Sequence, residues 1–299
     1  MQENTKRSIF KNASTTYYYS SLFFSKKSWE MVATIYAYVR TADDFVDTYP
    51  QDRTGFADFV AQTKAYLAFR LKQKKSIKKL KISLAEWGTT QHSVVIREFV
   101  DLVVSKKIPV TWVTAFLQAM VSDFQNDGWI IYENRKKLSE YIYGSAEVIG
   151  LMMCKVLEIS PRGYTAARKQ GESMQLINFI RDIAEDCSMK RQYLPTNALK
   201  KYGITNLCVV PQTSHEITKF KNFMRSEIDT YLAIQAQAEA GYKYLPFRYR
   251  VPIATAARLY VWTAQQIYAN PMIVYSTKVK PTKLRVLSTL AQVSIQSLW

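Results

Sequence analysis

The sequence predicts an all-α fold. Apolar residues recur with the 3.6-residue period of a helix through almost every segment, and few segments alternate with the two-residue period of a strand. Nearly half of the 299 residues are hydrophobic, which is enough for a substantial core. No internal repeat and no linker rich in glycine, serine or proline divides the chain. We therefore expect a polar, flexible leader over residues 1–13 and a single domain over residues 14–299.

Prolines, glycines and capping residues separate the predicted helices. The first begins at Ser14, the next ends before Pro50, Pro109 separates two others, and a break is expected from Gly241 to Pro246. After the first helix, the predicted helices cover residues 28–47, 54–72, 94–104, 111–122, 137–158, 171–186, 216–240 and 250–268. Residues 203–213 are expected to form a connector.

Two glycines interrupt the predicted helix over residues 137–158. Gly144 and Gly150 each cost a helix about 1 kcal/mol relative to alanine. Such a cost makes sense where a neighbouring helix or a lipid chain must approach the backbone closely.

The charge of the chain predicts an anionic partner. There are 41 lysines and arginines against 24 acidic residues, a net charge of +17. Such a field attracts nucleic acid, anionic membranes or phosphorylated small molecules. Cations are densest in a segment that we call the lysine run: Lys72, Lys74, Lys75, Lys78, Lys79 and Lys81. This run is either a docking strip for anionic lipid head groups or a solvated exterior.

Cysteine and histidine usage excludes several kinds of site. Cys154, Cys187 and Cys208 are odd in number and show no C-x-x-C spacing, which favours a reducing compartment and argues against a disulfide framework. Two histidines are too few for a histidine-rich metal site and give little support to a Ser-His-Asp triad. The N-terminal residues lack the apolar core of a signal peptide, and no apolar run is long enough to span a membrane. We expect a cytoplasmic protein, with or without peripheral membrane contact.

Acidic residues cluster on one face of each of two predicted helices. On the first, Arg40, Asp43, Asp44 and Asp47 fall within about 100° of one another. On the second helix, five residues share a sector of about 80° around the helix axis: Gly171, Gln175, Asn178, Asp182 and Asp186. Acidic residues are the minority in this basic protein, so their clustering points to a site rather than to a solvated surface. Aromatic residues nearby also favour a cavity over a solvent-exposed surface: Tyr36, Tyr38, Phe45 and Tyr17 to Tyr19. Facing carboxylates of this kind can hold Mg²⁺ together with water and phosphate oxygens.

With these motifs the chain resembles the squalene/phytoene synthase family. The family's first aspartate-rich motif is similar to Asp43-Asp44-Phe45-Val46-Asp47, preceded by Tyr36 and Arg40. Its second is similar to Asp182-Ile183-Ala184-Glu185-Asp186, followed by Arg191-Gln192-Tyr193-Leu194-Pro195. Between them, Tyr141 to Gly150 matches the central Y-x-Y-x-x-A-x-x-x-G helix. The similarity runs from about Ser14 to about Leu290.

The resemblance implies an isoprenoid-synthase helical bundle around a central cavity, in which two prenyl diphosphates join head to head. It implies Mg²⁺ (or Mn²⁺) held by Asp43, Asp47, Asn178, Asp182 and Asp186. Tyr36 and Arg40 join the four aspartates as catalytic candidates. The candidates for substrate binding are Ser14, Tyr17, Arg40, Gln175, Asn178, Arg181, Arg191 and Tyr260. Asp123 or its rival Asp127 would lie near the bound phosphates.

The implied reaction ionises one allylic diphosphate, forms a cyclopropylcarbinyl diphosphate and rearranges it to a C1–C1′ linked hydrocarbon. The activity that the resemblance favours is that of a 15-cis-phytoene synthase, which uses two geranylgeranyl diphosphates. The alternative is a dehydrosqualene or squalene synthase using farnesyl diphosphate, and NADPH would be needed only for squalene. No G-x-G-x-x-G fingerprint is present, which weakly favours the reactions without NADPH.

Two other classes compete with this interpretation. A non-catalytic relative acting as an assembly factor would be expected to lose aspartates from one motif, and here both are intact. A basic RNA- or DNA-binding helical protein would need its charge in a stripe with interleaved aromatic residues, which the lysine run lacks. We therefore expect prenyl diphosphates as substrates and no nucleic acid partner.

Overall fold

The computed structural model of the chain describes residues 24–48, 50–72, 87–88, 90–124 and 128–296. Several predicted features lie outside these ranges: the leader, the helix at Ser14, Tyr17, Asp127 and the lysine run beyond Lys72.

The described residues form an all-α fold, as the sequence predicts. The helices of the first half are α1 (Lys26–Asp47), α2 (Arg53–Lys72), α3 (Gln91–Ser105), α4 (Val110–Ser122), α5 (Arg135–Ile142) and α6 (Val148–Val156). Those of the second half are α7 (Tyr164–Arg181), α8 (Ile183–Ser188), α9 (Thr196–Lys201), α10 (Ser214–Glu239), α11 (Phe247–Ala269) and α12 (Lys283–Gln296). Within the described ranges, the only strands are β1 (Ile130–Ile131) and β2 (Arg191–Gln192), which pair in parallel.

Helix α7 lies at the centre of the bundle. It packs most extensively against α10 and also contacts α6 and α11. Leu176, Ile177, Phe179 and Ile180 are buried on its apolar side. The opposite side is thereby directed toward the central cavity.

Helix α1 divides its residues between the core and the cavity. Ile35, Tyr38 and Phe45 are buried in the core, and the Tyr38 ring stacks on Phe99 with 3.7 Å between centroids. Of the aromatic residues of α1 that we expected around a cavity, only Tyr36 lines it, so that expectation was wrong for Tyr38 and Phe45. These two rings instead fix the helix that carries the first acidic motif.

Close helix packing explains the mid-helix glycines. A Cβ on Gly144 would lie 2.5 Å from the carbonyl oxygen of Ala115, and one on Gly150 would lie 2.5 Å from that of Ala167. Real Cβ atoms do not approach backbone this closely, so only glycine allows these helices to pack at this distance. Between the two, Tyr143–Glu147 forms a π-helical turn, so the predicted helix over residues 137–158 is not one regular α-helix.

The predicted helix over residues 171–186 is interrupted at Asp182. Its backbone angles, φ −100° and ψ 18°, separate α7 from α8. The interruption is only one residue long, because the Asp182 N–H still donates to Asn178 O and its carbonyl accepts from the Asp186 N–H, both at 2.8 Å. The second acidic motif is therefore kept on one side of the chain despite the break.

Cys187 and Cys208 form a disulfide with 5.5 Å between their Cα atoms. The expectation drawn from cysteine spacing was therefore wrong for this pair. The spacing could not reveal the bond, because the two residues are 21 positions apart and meet only when residues 203–213 fold against α8. Cys154 is free and buried.

In the ranges that the structure describes, no helix is both long enough and apolar enough to cross a lipid bilayer.

Candidate active site

A cavity of about 830 Å³ opens between α1, α7 and α11. All predicted site residues within the described ranges line it: Tyr36, Arg40, Asp43, Asp47, Gln175, Asn178, Arg181, Asp182, Asp186, Arg191 and Tyr260. Helical spacing accounts for this convergence. The cavity residues of α1 recur every three or four positions, and those of α7 and α8 do so across the break at Asp182.

Three arginines pair with carboxylates at the acidic end of this cavity. Arg181 holds Asp182 through two hydrogen bonds of 2.7 and 2.6 Å. Arg191 donates to Asp47 Oδ1 at 2.8 Å and to the carbonyl of Val46 at 2.9 Å, which joins β2 to the end of α1. Arg40 pairs with Asp44 at 2.6 Å, one turn along α1. The arginines are thus fixed beside the acidic motifs.

Two other aspartates carry no ion pair with any described residue. Burial raises the pKa of Asp43 to about 8, and the negative charge of Asp47 adds to the increase. Burial likewise raises the pKa of Asp186 to about 8, with Asp182 adding to it. Arg40 limits the increase at Asp43, and Arg191 limits it at Asp186.

The donor atoms fit a hard divalent cation. Asn178 Oδ1 is buried and accepts no hydrogen bond, although buried polar atoms normally have a partner. Among the described residues, no three His, Cys, Asp or Glu side chains cluster tightly enough to enclose a metal by themselves. Mg²⁺ does not need such a cage, because it binds through one or two carboxylates together with water and phosphate oxygens. The unpaired oxygens of Asp43, Asp186 and Asn178 are suited to that shared mode of binding.

Asp123 also belongs to this cavity. It accepts hydrogen bonds from Tyr141 OH at 2.7 Å and from Tyr193 OH at 3.4 Å. Burial raises the pKa of Asp123 to about 6, and Arg191 limits the increase. The sequence left Asp123 and Asp127 as rivals. The structure places Asp123 in the cavity, and Asp127 lies outside the described residues.

Two tyrosines of this site had no role in the sequence analysis. Tyr141 and Tyr193 were quoted only as letters of family motifs, although both line the cavity. Phe179 and Tyr193 stack with 4.0 Å between ring centroids, which fixes the Tyr193 ring beside Asp123. Lys278 joins the site from the connector before α12 and pairs with Asp182 at 3.2 Å. The sequence offered no signal for this pair, because its partners are almost a hundred residues apart.

The rest of the cavity wall is largely apolar. Ile149 and Met153 lie on one face of α6 and Leu157 directly follows that helix, and Ile159 and Leu245 continue the wall beyond them. The cavity thus has a charged end, rich in arginine and aspartate, and an apolar end. This arrangement suits a molecule with an anionic head and a long hydrocarbon tail.

Sequence comparison relates the chain to phytoene synthases. It is 30% identical over 166 residues to the chloroplastic phytoene synthase of Narcissus pseudonarcissus, which covers 53% of this chain and 39% of that protein. The match therefore spans about two fifths of the plant protein's length. The chain is also 25% identical over 244 residues to the 15-cis-phytoene synthase of Pantoea ananas, with 81% of this chain and 74% of that protein covered.

Structural comparison supports the same fold. A dehydrosqualene synthase in complex with a ligand superposes with a TM-score of 0.78 at 21% identity, covering 99% of this chain and 96% of that one. Squalene synthase HpnC from Alicyclobacillus acidocaldarius superposes with a TM-score of 0.66 at 18% identity, covering 93% and 95%. The squalene/phytoene synthase family model matches residues 10–285. The chain therefore belongs to the squalene/phytoene synthase family.

Proposed function

We propose that this protein is a prenyltransferase that condenses two prenyl diphosphates head to head. The main observation behind the proposal is that the two intact acidic motifs share one cavity. Both motifs lie at one end of it, and an apolar wall leads away from them. Family membership supports the same reaction class. The preferred product is 15-cis-phytoene, a carotenoid precursor made from two geranylgeranyl diphosphates, because the relatives compared above by sequence are named phytoene synthases.

The arginines bind and orient the diphosphates in this proposal. Arg40, Arg181 and Arg191 line the charged end of the cavity, and a guanidinium can hold two phosphate oxygens at once. The aspartates would hold Mg²⁺, which when bound would supply positive charge to neutralise the leaving diphosphate. Gln175 and Asn178 supply amide contacts on the same face of α7.

The aromatic and apolar walls protect the allylic cation. The rings of Tyr36 and Tyr260 line the cavity beside the acidic motifs, and the face of an aromatic ring attracts a cation. Burial raises the pKa of Tyr36 to about 12, so its phenol stays protonated at neutral pH. The apolar wall excludes water that would trap the cation as an alcohol. The double bond of the second substrate can then attack C1 of the cation, and loss of a proton to the released diphosphate gives a cyclopropylcarbinyl diphosphate. Loss of its diphosphate, rearrangement of the resulting cation and loss of a second proton give the C1–C1′ linked product.

Incubation with defined substrates tests this function. Purified protein would be given farnesyl or geranylgeranyl diphosphate with Mg²⁺ or Mn²⁺, with and without NADPH, and the hydrocarbons extracted. Phytoene from the C20 substrate without NADPH is the expected result, and chelation should abolish it. Dehydrosqualene or squalene from the C15 substrate would replace the substrate assignment. No product from either substrate would contradict catalysis and favour an assembly-factor role.

We further propose peripheral contact with an anionic membrane at the cytoplasmic face. The substrates are amphipathic and the hydrocarbon product is uncharged, so the product must leave into lipid. The net charge of +17 and the lysine run provide electrostatic attraction to such a surface.

A further inference from the structure

Lys278 connects the second acidic motif with a distant part of the chain. It lies in the connector between the 3-10 turn Pro271–Tyr275 and α12. Its Nζ atom is 3.2 Å from Asp182 Oδ1, and it also forms an ion pair with Glu185. Asp182 and Glu185 are three positions apart at the start of α8. One ammonium group is therefore shared by two carboxylates of the motif.

Lys278 and Arg181 together occupy both oxygens of Asp182. Arg181 donates to Oδ1 and to Oδ2, and Lys278 pairs with Oδ1. Asp182 was predicted as a metal ligand, but its Oδ1 atom, which already faces an ammonium and a guanidinium, is a poor ligand for a further cation. One of these two partners must withdraw before Oδ1 can bind a divalent ion.

Of the two, Lys278 can withdraw more easily. The Arg181 side chain is 16% exposed, adjacent in sequence to Asp182 and held by two hydrogen bonds. The Lys278 side chain is 35% exposed and belongs to the connector. A lysine ammonium is a compact charge on a flexible four-carbon stem, so it can turn to another anion in the same cavity. Lys278 lines that cavity.

We propose that Lys278 is an exchangeable counter-ion of the second acidic motif. In the metal-free enzyme it pairs with Asp182 and Glu185 and competes with the divalent cation for Asp182. When the cation takes Asp182, the ammonium turns to the substrate diphosphate and helps to position it. This inference rests on the proposed function, because it requires a divalent cation and a diphosphate in this cavity.

Lys280 offers a matched control. It lines the same cavity two positions further on, and the described residues provide it with no ion-pair partner. Lys278→Gln and Lys280→Gln therefore remove the same charge from the same cavity, and only the first removes the contact with Asp182. Lys278→Arg keeps the charge and should not gain the tighter Mn²⁺ binding expected of Lys278→Gln.

The experiment measures binding without turnover. Mn²⁺ binding to the substrate-free enzyme is followed by electron paramagnetic resonance. Lys278→Gln should bind Mn²⁺ about three- to fivefold more tightly than the wild type, as expected for removal of a half-exposed competing ion pair, and Lys280→Gln should change far less. Inorganic diphosphate binding at saturating Mn²⁺ is then measured by calorimetry, and Lys278→Gln should bind it more weakly than Lys280→Gln does.

Two outcomes would overturn the inference while leaving the function intact. One is equal Mn²⁺ affinity in the two glutamine variants, and the other is undiminished diphosphate binding by Lys278→Gln. If the wild type bound neither Mn²⁺ nor diphosphate, the proposed metal-dependent function would itself fail, and the role of Lys278 with it.

Discussion

Individual aspartates of the two acidic motifs differ in what surrounds them. Asp47 and Asp182 face arginines, whereas Asp43 and Asp186 carry no ion pair within the described ranges. Burial raises the pKa of each unpaired aspartate to about 8, so the charged form of each carboxylate is disfavoured at its position. A bound divalent cation would therefore stabilise the charge of Asp43 and Asp186 more than that of the paired aspartates.

Asp43→Asn should abolish turnover without unfolding the protein. We expect kcat to fall by roughly 10²–10³-fold, the usual loss when one group that stabilises developing charge is removed. The melting temperature should not decrease, because a neutral amide replaces a half-buried carboxylate that has no ion pair with any described residue. Steady-state kinetics and thermal melting check both points.

Asp58→Asn serves as the control, because Asp58 is an exposed aspartate on α2, away from the cavity. It should keep wild-type kcat. Unchanged product formation by Asp43→Asn would contradict the assignment of the first motif to the site.

At the scale of elements, the site depends on helices that pack unusually closely. Gly150 of α6 contacts the backbone of α7, and Gly171 of α7 lies against the π-helical turn, where an added Cβ would be 2.6 Å from Ala146 O. These contacts set the distance between the two helices that form the cavity wall. The disulfide Cys187–Cys208 adds a covalent link directly after Asp186.

Gly150→Ala should destabilise the protein. On an open helix surface the change would stabilise by about 1 kcal/mol, because alanine is the better helix former. Here the added Cβ would be 2.5 Å from a backbone carbonyl oxygen, which cannot move aside as a side chain can. We expect a net loss of about 1–3 kcal/mol in the free energy of unfolding, measured by urea denaturation.

Gly163→Ala is the comparison for this prediction. Its Cβ would meet Ile159 Cγ2 at 3.1 Å, a side-chain atom that can shift. The loss should be smaller than for Gly150→Ala. A Gly150→Ala protein more stable than the wild type would show that α6 and α7 are not packed as described.

Cys208→Ser should lower stability through the loss of the disulfide. The bond closes a loop between residues 21 positions apart, and a loop of this length corresponds to about 3 kcal/mol in the chain-entropy model. Thermal melting with and without reductant checks the expectation. Reductant should lower the melting temperature of the wild type and leave that of Cys208→Ser unchanged. An equal response of the two proteins would show that Cys187 and Cys208 are not bonded in solution.

At the scale of the whole molecule, the net charge of +17 contrasts with the acidic motifs of the cavity. The excess positive charge can draw anionic substrates and lipid head groups toward the protein, while the aspartates act locally at the site. Surface and cavity therefore have separate electrostatic roles.

Replacing the lysine run with glutamines should weaken attachment to membranes. The wild type should sediment with anionic liposomes at low salt and detach near 0.5 M salt, where the screening length is only about 4–5 Å. Each lysine near such a surface contributes on the order of 1 kcal/mol. The glutamine variant should sediment less at low salt and retain activity on detergent-dispersed substrate.

The control replaces six exposed lysines elsewhere in the chain and changes the net charge equally: Lys64, Lys107, Lys136, Lys200, Lys201 and Lys243. It should sediment more than the variant of the lysine run. Equal sedimentation of the two variants would show that only total charge matters and that the run is a solvated surface.

The sequence alone determined the fold class and the two acidic faces, because both depend on local periodicity. The spacing of Asp43 and Asp47 and of Asp182 and Asp186 places each pair on one side of a helical segment wherever the segment lies. The predicted helices follow from the same pattern, and most of their ends agree with the structure to within a few residues.

Tertiary structure decided everything that depends on contacts between distant residues. The disulfide between Cys187 and Cys208, the ion pair of Lys278 with Asp182, and the hydrogen bonds of Tyr141 and Tyr193 to Asp123 all join separate elements. Periodicity says nothing about which helices become neighbours. The break at Asp182 was equally hidden, because a one-residue change in backbone angles leaves the spacing of the cavity residues almost unchanged.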